Sequence, residues 1–190
     1  MRRSSILTAV TCAGSLLAGG LAHAGAVADL YRGGAFGLPW NAGKGAIEAK
    51  YPGGKWDEDG KGHARYCVTN KQTLLKLPPP HQTKELCMLI GTDNTLASVT
   101  AVMEPSLQSL LAVVNRGRTT FGDFDAVVRD ESAIQSRSNG MLWTTDKPYV
   151  VHIESRNNEV GNPTYVAFTV ADEAHLYTEG AKKVSSRPGS

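Results

Sequence analysis

Carboxylates that could coordinate a cation stand in an acidic stretch of the first half of the chain. Asp-Glu-Asp-Gly occupies residues 57–60, and His63 follows closely. Carboxylate oxygens on a glycine-supported turn suit Ca²⁺, but a helix–loop–helix calcium motif also needs a closing glutamate. That glutamate would fall at position 68, which is Val68. We therefore interpret the stretch as a solvated loop, and no metal site is predicted.

A second acidic cluster could support hydrolysis of a glycosidic bond. Asp123, Asp125, Asp130 and Glu131 lie close together in sequence. A glycosidase needs two carboxyl groups that face each other across the bond they cleave. Sequence proximity alone does not supply that geometry. A hydrolase of envelope polymers that uses such carboxylates is kept as the alternative function.

Other signatures of catalysis and cofactor binding are incomplete. The Gly-Lys pairs at residues 43–44 and 60–61 lack both the earlier glycine and the following Ser or Thr of a phosphate-binding loop. The patterns H-E-x-x-H and G-x-S-x-G do not occur. The histidines after residue 24 show no pair at metal-ligand spacing: His63, His81, His152 and His175. We expect no cofactor and a protein that is not an enzyme.

Two cysteines have sequence surroundings that favour a disulfide. Cys67 lies in Arg-Tyr-Cys-Val-Thr and Cys87 in Leu-Cys-Met-Leu-Ile, and both segments have strand-like composition. A bridge between neighbouring strands is predicted, and closing such a loop contributes about 3 kcal/mol. Two buried free thiols are the alternative.

The beginning of the chain predicts export. Arg2 and Arg3 precede an uncharged stretch of apolar and small residues over positions 6–21, and Ala-His-Ala at residues 22–24 provides a signal-peptidase site. A retained anchor fits less well because Thr, Ser and Gly interrupt the apolar stretch. We predict a Sec-type signal peptide over residues 1–24, cleavage after Ala24, and a periplasmic or secreted protein.

The predicted mature chain carries no net charge. The whole sequence has 20 basic and 18 acidic residues, and two of the basic ones, Arg2 and Arg3, belong to the predicted signal peptide. Neutrality gives no reason to expect a nucleic acid or an anionic membrane as partner. Removing 24 of the 190 residues leaves 166, the size of one ordinary domain. No later apolar stretch is long enough to span a bilayer.

Local patterns predict a helix and then strands in the first half of the chain. Residues 25–35 are small and are expected to be flexible. Asn41 can cap a short helix that runs to about Lys50, and residues 64–70 have the composition of a strand. Residues 86–90 and 96–103 flank a Gly-Thr-Asp-Asn turn, which is typical of a hairpin.

The second half follows the same order. Pro105 favours the first turn of a helix, and apolar residues at helical spacing predict one core-facing side, formed by Leu107, Leu110, Leu111 and Val114. About three strands follow, and residues 149–154 and 165–170 show the alternation of half-buried strands.

These elements predict an α+β fold in which helices cover one face of an antiparallel sheet. We expect a single domain over residues 25–184, with a disordered tail over residues 185–190. The domain could consist of two tandem units, each with one helix and three strands, over residues 36–103 and 105–170.

Two tryptophans are candidate interface residues. Trp56 stands between Lys55 and Asp57, so we expect it to be exposed, and exposed aromatic side chains often anchor interfaces. Trp40 follows Pro39 and has an alternative role as a packing residue at the entry to the first helix.

The opening Phe-Gly-Leu-Pro-Trp at residues 36–40 resembles the start of many small exported bacterial proteins of unknown function. The segment Gly-Met-Leu-Trp-Thr-Thr at residues 140–145, with the strand after it, is similar to the end of such proteins. The repeated order of helix and strands also resembles the tandem modules of the β-lactamase-inhibitor-protein architecture, which act by binding proteins. Export, a small core with a predicted disulfide, and the absence of a recognisable catalytic constellation lead us to predict a binding module for a protein or an envelope component, with an inhibitor or immunity role as one version.

Overall fold

Three helices and eight strands make up the part of the chain that the computed structural model describes, residues 25–60, 62–130, 137–144 and 146–172. The predicted signal peptide and the predicted tail lie outside the described residues. The helices are α1 (Ala26–Tyr31), α2 (Lys44–Lys50) and α3 (Leu107–Phe121). The strands are β1 (Lys55–Glu58), β2 (Ala64–Thr69), β3 (Thr83–Ile90), β4 (Leu96–Met103), β5 (Ala126–Asp130), β6 (Arg137–Trp143), β7 (Tyr149–Asn157) and β8 (Pro163–Asp172).

All eight strands belong to one open antiparallel sheet in the order β1-β2-β3-β4-β8-β7-β6-β5. This arrangement confirms the predicted α+β fold. The strands form two four-stranded meanders, which meet at the centre of the sheet. There β4 pairs with β8, and Thr100 lies opposite Thr169.

Each meander follows one helix, since α2 precedes β1–β4 and α3 precedes β5–β8. The sequence predicted three strands after each helix, and the structure shows four. The additional strands, β1 and β5, are the two edges of the sheet. Three of the four residues of β1 are charged and exposed, so the strand carries no buried alternation that a sequence pattern could detect. Short, charged strands are typical of sheet edges because they discourage pairing with other chains.

The helices pack on one face of the sheet, as predicted. Side chains on this face form the core, and Met88, Val99, Ile153 and Phe168 are each 0% exposed. Helix α3 lies over β7 and β8, and α1 lies over β7. Helix α2 contributes Ile47, which is fully buried in the same hydrophobic core.

Helix α3 contacts the sheet through a side that only partly overlaps the one that its leucines predict. Leu107 and Leu111 are 58% and 52% exposed, whereas Gly117 and Phe121 are buried. Because Gly117 has no side chain, the helix lies so close to the sheet that an added Cβ would be 2.9 Å from Cη2 of Trp143. The predicted core-facing side is therefore confirmed for Leu110 and Val114, which pack half-buried against the core, and was wrong for the two exposed leucines.

The region before β1 also differs from the prediction. Helix α1 forms within the segment that was expected to be flexible. Helix α2 begins after Gly43, which has extended dihedral angles and makes no side-chain cap, so Asn41 is not the capping residue. None of the helices in the described part of the chain combines the length and apolar composition that crossing a bilayer requires.

Candidate functional site

The face of the sheet opposite the helices, which we call the open face, carries short and polar side chains at its centre. None of the three described helices packs on it. Ser98 and Thr100 of β4 lie opposite Ala171 and Thr169 of β8, in alternation with the core residues of the same strands. The hydroxyl oxygens of Thr100 and Thr169 are 3.0 Å apart. These short side chains lie between longer side chains on the flanking strands.

A disulfide lies on the open face. Cys67 of β2 is directly opposite Cys87 of β3, and their Sγ atoms are 2.12 Å apart. The predicted bridge is confirmed, and it fits a protein that works outside the cytoplasm. A carboxylate oxygen of Glu85 lies within 4.8 Å of both sulfur atoms. Bonded sulfur atoms offer no thiolate to a metal ion, so this group is not a metal site.

Tyr165 stands among four charged side chains on the open face. The guanidinium carbon of Arg156 lies 4.8 Å from the centre of the Tyr165 ring, and Arg156 Nε donates to Glu154 Oε1 at 2.8 Å. Burial raises the pKa of the Tyr165 phenol; Glu154 and Glu85 also raise it, whereas Arg156 and Arg65 lower it. Charges of both signs, from β2, β3 and β7, therefore converge on this tyrosine. We call these five residues the Tyr165 cluster.

A small depression lies beside Tyr165. Its volume is about 150 Å³, and its walls include Arg65, Ser98, Thr100 and Tyr165. The size suits one side chain of a partner rather than a whole small-molecule ligand, for which pockets of about 300–1,000 Å³ are usual.

His152 lies on the same face, on the other side of β8. Its Nε2 would be 2.4 Å from a Cβ added to Gly140, so the imidazole lies directly over that glycine. Burial lowers the pKa of His152, and the negative charge of Glu154 opposes this effect in part. Folding therefore favours the neutral imidazole relative to its charged form.

The two candidate interface tryptophans are half-buried and engaged within the fold. Trp40 stacks on Tyr149 with ring centroids 5.4 Å apart, and its indole N–H donates to the Tyr31 carbonyl at 2.7 Å. Trp56 packs against Tyr66 at 4.9 Å, and its indole N–H donates to Glu48. Neither belongs to the open face or to the groove described next.

A groove of about 620 Å³ lies on the helical side of the molecule. One wall is formed by α1 and the loop after it, which contribute Leu30 and Phe36. The loop at residues 73–76 contributes Leu75 and Lys76. Helix α3 closes the groove with Arg116 and Thr120.

Three residues that line the groove have left-handed backbone conformations without being glycine. Phe36, Leu75 and Lys76 have φ values of 52°, 48° and 59°, and Asn94 is the fourth such residue in the described chain. Each left-handed non-glycine residue costs on the order of 1–3 kcal/mol. Such strain persists only where the surrounding structure enforces it. Strained residues cluster at active sites and ligand-binding sites, where the strain is part of the mechanism.

The Phe-Gly part of the opening motif forms a tight turn at the rim of this groove. The backbone groups of Ala35 and Leu38 exchange hydrogen bonds of 2.9 and 3.0 Å, and the two residues between them both have positive φ. These are the features of a type I′ turn, which usually contains Asn, Asp or Gly. Phe36 is therefore an unusual residue for its position, and it presents an aromatic ring to the groove.

The carboxylates of the hydrolase alternative have structural partners. Asp123 accepts two hydrogen bonds from Arg118 at 2.6 and 2.9 Å, and Asp125 accepts one from the backbone N–H of Thr144. The side chain of Asp130, and all of Glu131, lie outside the described residues. None of the described residues that line the groove is acidic.

The sequence patterns singled out neither the Tyr165 cluster nor the groove. Tyr165 shares the alternation phase of Ala167 and Thr169, and an aromatic residue in the polar phase of a strand was the available signal. The groove draws on three distant segments, and no local pattern connects them. Comparisons with known proteins found no matching family model, no matching curated protein and no matching solved structure. The family resemblances stated above therefore stay predictions.

Proposed function

We propose that this chain is an exported binding protein that recognises a protein partner through the open face of its sheet. The observation that carries the proposal is the Tyr165 cluster, which places an aromatic ring and two arginines on a face that no described helix covers. Tyrosine and arginine are among the residues that contribute most to binding energy in protein interfaces.

The dimensions of the open face suit this role. Eight strands about 4.8 Å apart and roughly 20 Å long outline an area on the order of 700 Å², in which exposed residues such as Arg65 and Arg156 surround nearly buried short side chains such as Ala167. Each partner in a standard protein interface buries about 800 Å². The depression beside Tyr165 can receive one side chain of the partner, and pockets of this kind are where interface anchors insert.

The mixed charges of the cluster favour a partner with complementary charges of both signs. Arg65 and Arg156 offer hydrogen-bond donors to carboxylates, and Glu85 and Glu154 offer acceptors to lysine or arginine. Such complementarity improves specificity and the rate of association. It argues against a uniformly charged polymer as the partner.

The predicted compartment agrees with an envelope or extracellular partner. The features of residues 1–24 support a signal peptide, and the disulfide supports an oxidising environment such as the periplasm. Two tandem helix-and-sheet units also agree with the resemblance to modules of the β-lactamase-inhibitor type. An inhibitor or immunity role is the version of the proposal that follows from this resemblance.

Site-specific photo-crosslinking tests the proposal. A photoreactive residue is placed on the open face outside the Tyr165 cluster, at the exposed Thr69 or Val128, and, as the matched control, at the exposed Gln108 or Asn115 on α3. We expect the open-face positions to crosslink one protein of an envelope extract in a saturable way, and the substitution Tyr165→Ala to reduce that product at least tenfold. Equal labelling from the α3 positions, or no product from any position, would contradict the proposal.

A further inference from the structure

We propose that the groove binds a single acyl chain with an anionic headgroup. Its volume of about 620 Å³ lies in the range of small-molecule sites, which are mostly apolar with a few polar groups that fix the ligand. Leu30, Phe36 and Leu75 supply an apolar wall for the chain, and Lys76 and Arg116 supply cations for the head.

Within the described part of the chain, the cations of the groove have no carboxylate partner. Neither Lys76 nor Arg116 forms an ion pair with any carboxylate of the described residues. A third cation, Lys50, approaches the rim, because its Nζ would lie 3.2 Å from a Cβ added to Gly37. The described lining contains no acidic side chain that would offset these charges. A negative headgroup is therefore the complementary chemistry.

The conformation of the lining supports binding rather than simple packing. Phe36, Leu75 and Lys76 keep left-handed conformations that disfavour bulky residues, and all three line this groove. The Tyr51 hydroxyl donates to the Phe36 carbonyl at 2.5 Å, which helps to hold the turn in place. The fold thus maintains strained positions for one aromatic, one aliphatic and one cationic side chain at a single site.

Calorimetric titration of residues 25–190 tests this proposal. We expect hexadecanoate to bind saturably at one site, and hexadecanol and acetate each to bind at least tenfold more weakly. Hexadecyl phosphate in a parallel titration distinguishes a phosphate head from a carboxylate head. The double variant Lys76→Gln/Arg116→Gln should raise the dissociation constant for hexadecanoate at least tenfold.

The matched control is Lys84→Gln/Arg118→Gln, which removes two cations outside the described lining of the groove. It should leave the dissociation constant unchanged. Equal weakening by both double variants, or the absence of saturable binding, would overturn the groove assignment. The measurement uses no protein partner, so it is independent of the function proposed for the open face.

A separate observation concerns the residue that follows the predicted cleavage site. The backbone N–H of Gly25 donates to Asp146 Oδ1 at 2.7 Å, and that of Val27 donates to Asp146 Oδ2 at 3.0 Å. One carboxylate thus binds both amides at the start of α1. The other end of α1 is anchored to the same region, because the Tyr149 hydroxyl donates to the Arg32 carbonyl.

We infer that cleavage before Gly25 converts this hydrogen bond into an ion pair that fixes α1. A signal peptidase uses water to break the bond between the Ala24 carbonyl carbon and the Gly25 nitrogen. The new carboxylate leaves with Ala24, and the new amine of Gly25 takes up a proton to become an ammonium. The Gly25 nitrogen that becomes this ammonium lies 2.7 Å from Asp146 Oδ1. Since α1 supplies Leu30 to the groove, processing also fixes one groove wall.

A thermodynamic cycle tests this second inference. Thermal unfolding is compared for chains that begin at Gly25 and at Ala24, each with Asp146 or with Asp146→Asn. We expect the retained Ala24 to lower the midpoint by roughly 2–4 °C, the shift that the loss of about 1 kcal/mol produces in a domain of this size. In the Asp146→Asn background the difference should fall below about 1 °C.

Two control variants make the outcome specific. Asp29→Asn removes the other carboxylate near Gly25, whose Oδ2 would lie 3.9 Å from a Cβ added to that glycine. Glu159→Gln removes an exposed carboxylate between β7 and β8. Both should preserve the difference between the two chain starts. The inference is wrong if the difference is absent in the parent protein, or if Asp29→Asn abolishes it.

Discussion

The pKa of His152 depends on its surroundings on the open face. The imidazole lies over Gly140, a position where any larger residue would collide with it. Burial lowers the pKa of His152 in the folded protein, and Glu154 only partly opposes that effect. In the unfolded chain the pKa returns to about 6.5. The difference makes the stability of the fold depend on pH.

The sign of this dependence follows from proton binding. As pH falls below about 6.5, the unfolded chain takes up a proton at His152 before the folded protein does, so the free energy of unfolding decreases. Above about pH 6.5 both forms are neutral, and the contribution is constant. We expect urea unfolding to show a loss of stability from pH 7.5 to pH 5 that is smaller in His152→Gln.

At the scale of an element, α3 depends on a residue that has no side chain. Gly117 allows close contact with Trp143 and Ile153, and a Cβ would lie 2.9 Å and 3.3 Å from their nearest carbon atoms. This contact, rather than leucine burial, fixes which side of the helix faces the sheet. The two exposed leucines are its consequence.

Gly117→Ala should therefore destabilise the protein even though alanine favours helices. We expect a loss of about 1–3 kcal/mol, as for other overpacked cores, because Trp143 or the helix has to shift. Gly45→Ala in α2 is the matched control, since no atom lies within 4 Å of its added Cβ. That change should stabilise by about 0.4–1 kcal/mol. Urea unfolding of the two variants measures both effects, and a loss in both would contradict this account.

The start of α3 gives a second prediction at this scale. Ser106 is the N-cap, and its Oγ accepts a hydrogen bond from the backbone N–H of Ser109 at 3.0 Å. Ser106→Ala removes that acceptor and should cost about 1 kcal/mol. Ser106→Asp retains an acceptor and should keep most of the stability. Similar losses in both variants, measured by thermal unfolding, would show that the cap is not the cause.

At the scale of the whole molecule, the disulfide restricts the unfolded chain. Cys67 and Cys87 are 20 residues apart, and bridging them removes loop entropy from the unfolded state. The double variant Cys67→Ala/Cys87→Ala should lose about 3 kcal/mol of unfolding free energy. Reductant should lower the stability of the parent protein and leave the variant unchanged. Thiol labelling without reductant should find both cysteines blocked in the parent.

The success of the sequence predictions depended on how local the determining contacts are. The β3–β4 hairpin was predictable because its turn residues and its apolar strands adjoin in sequence. The buried side of α3 was not, since Gly117 matters only through Trp143 and Ile153, which lie farther along the chain. The edge strand β1 was not predicted, because three of its four residues are charged and give no alternating apolar pattern. The Tyr165 cluster and the groove require side chains from separate segments, so only the three-dimensional arrangement reveals them.

The pairing of β4 with β8 affects how the protein folds while the chain is being synthesised. Thr100 and Thr169, which meet at this seam, are 69 residues apart, and β8 is the last strand of the sheet. The first meander contains only local pairings, so it can form while β8 is still absent. During that interval β4, whose side chains are mostly apolar, is an unprotected sheet edge. A second copy can supply its own β8 to that edge, so a domain-swapped dimer is a misassembly that this topology allows.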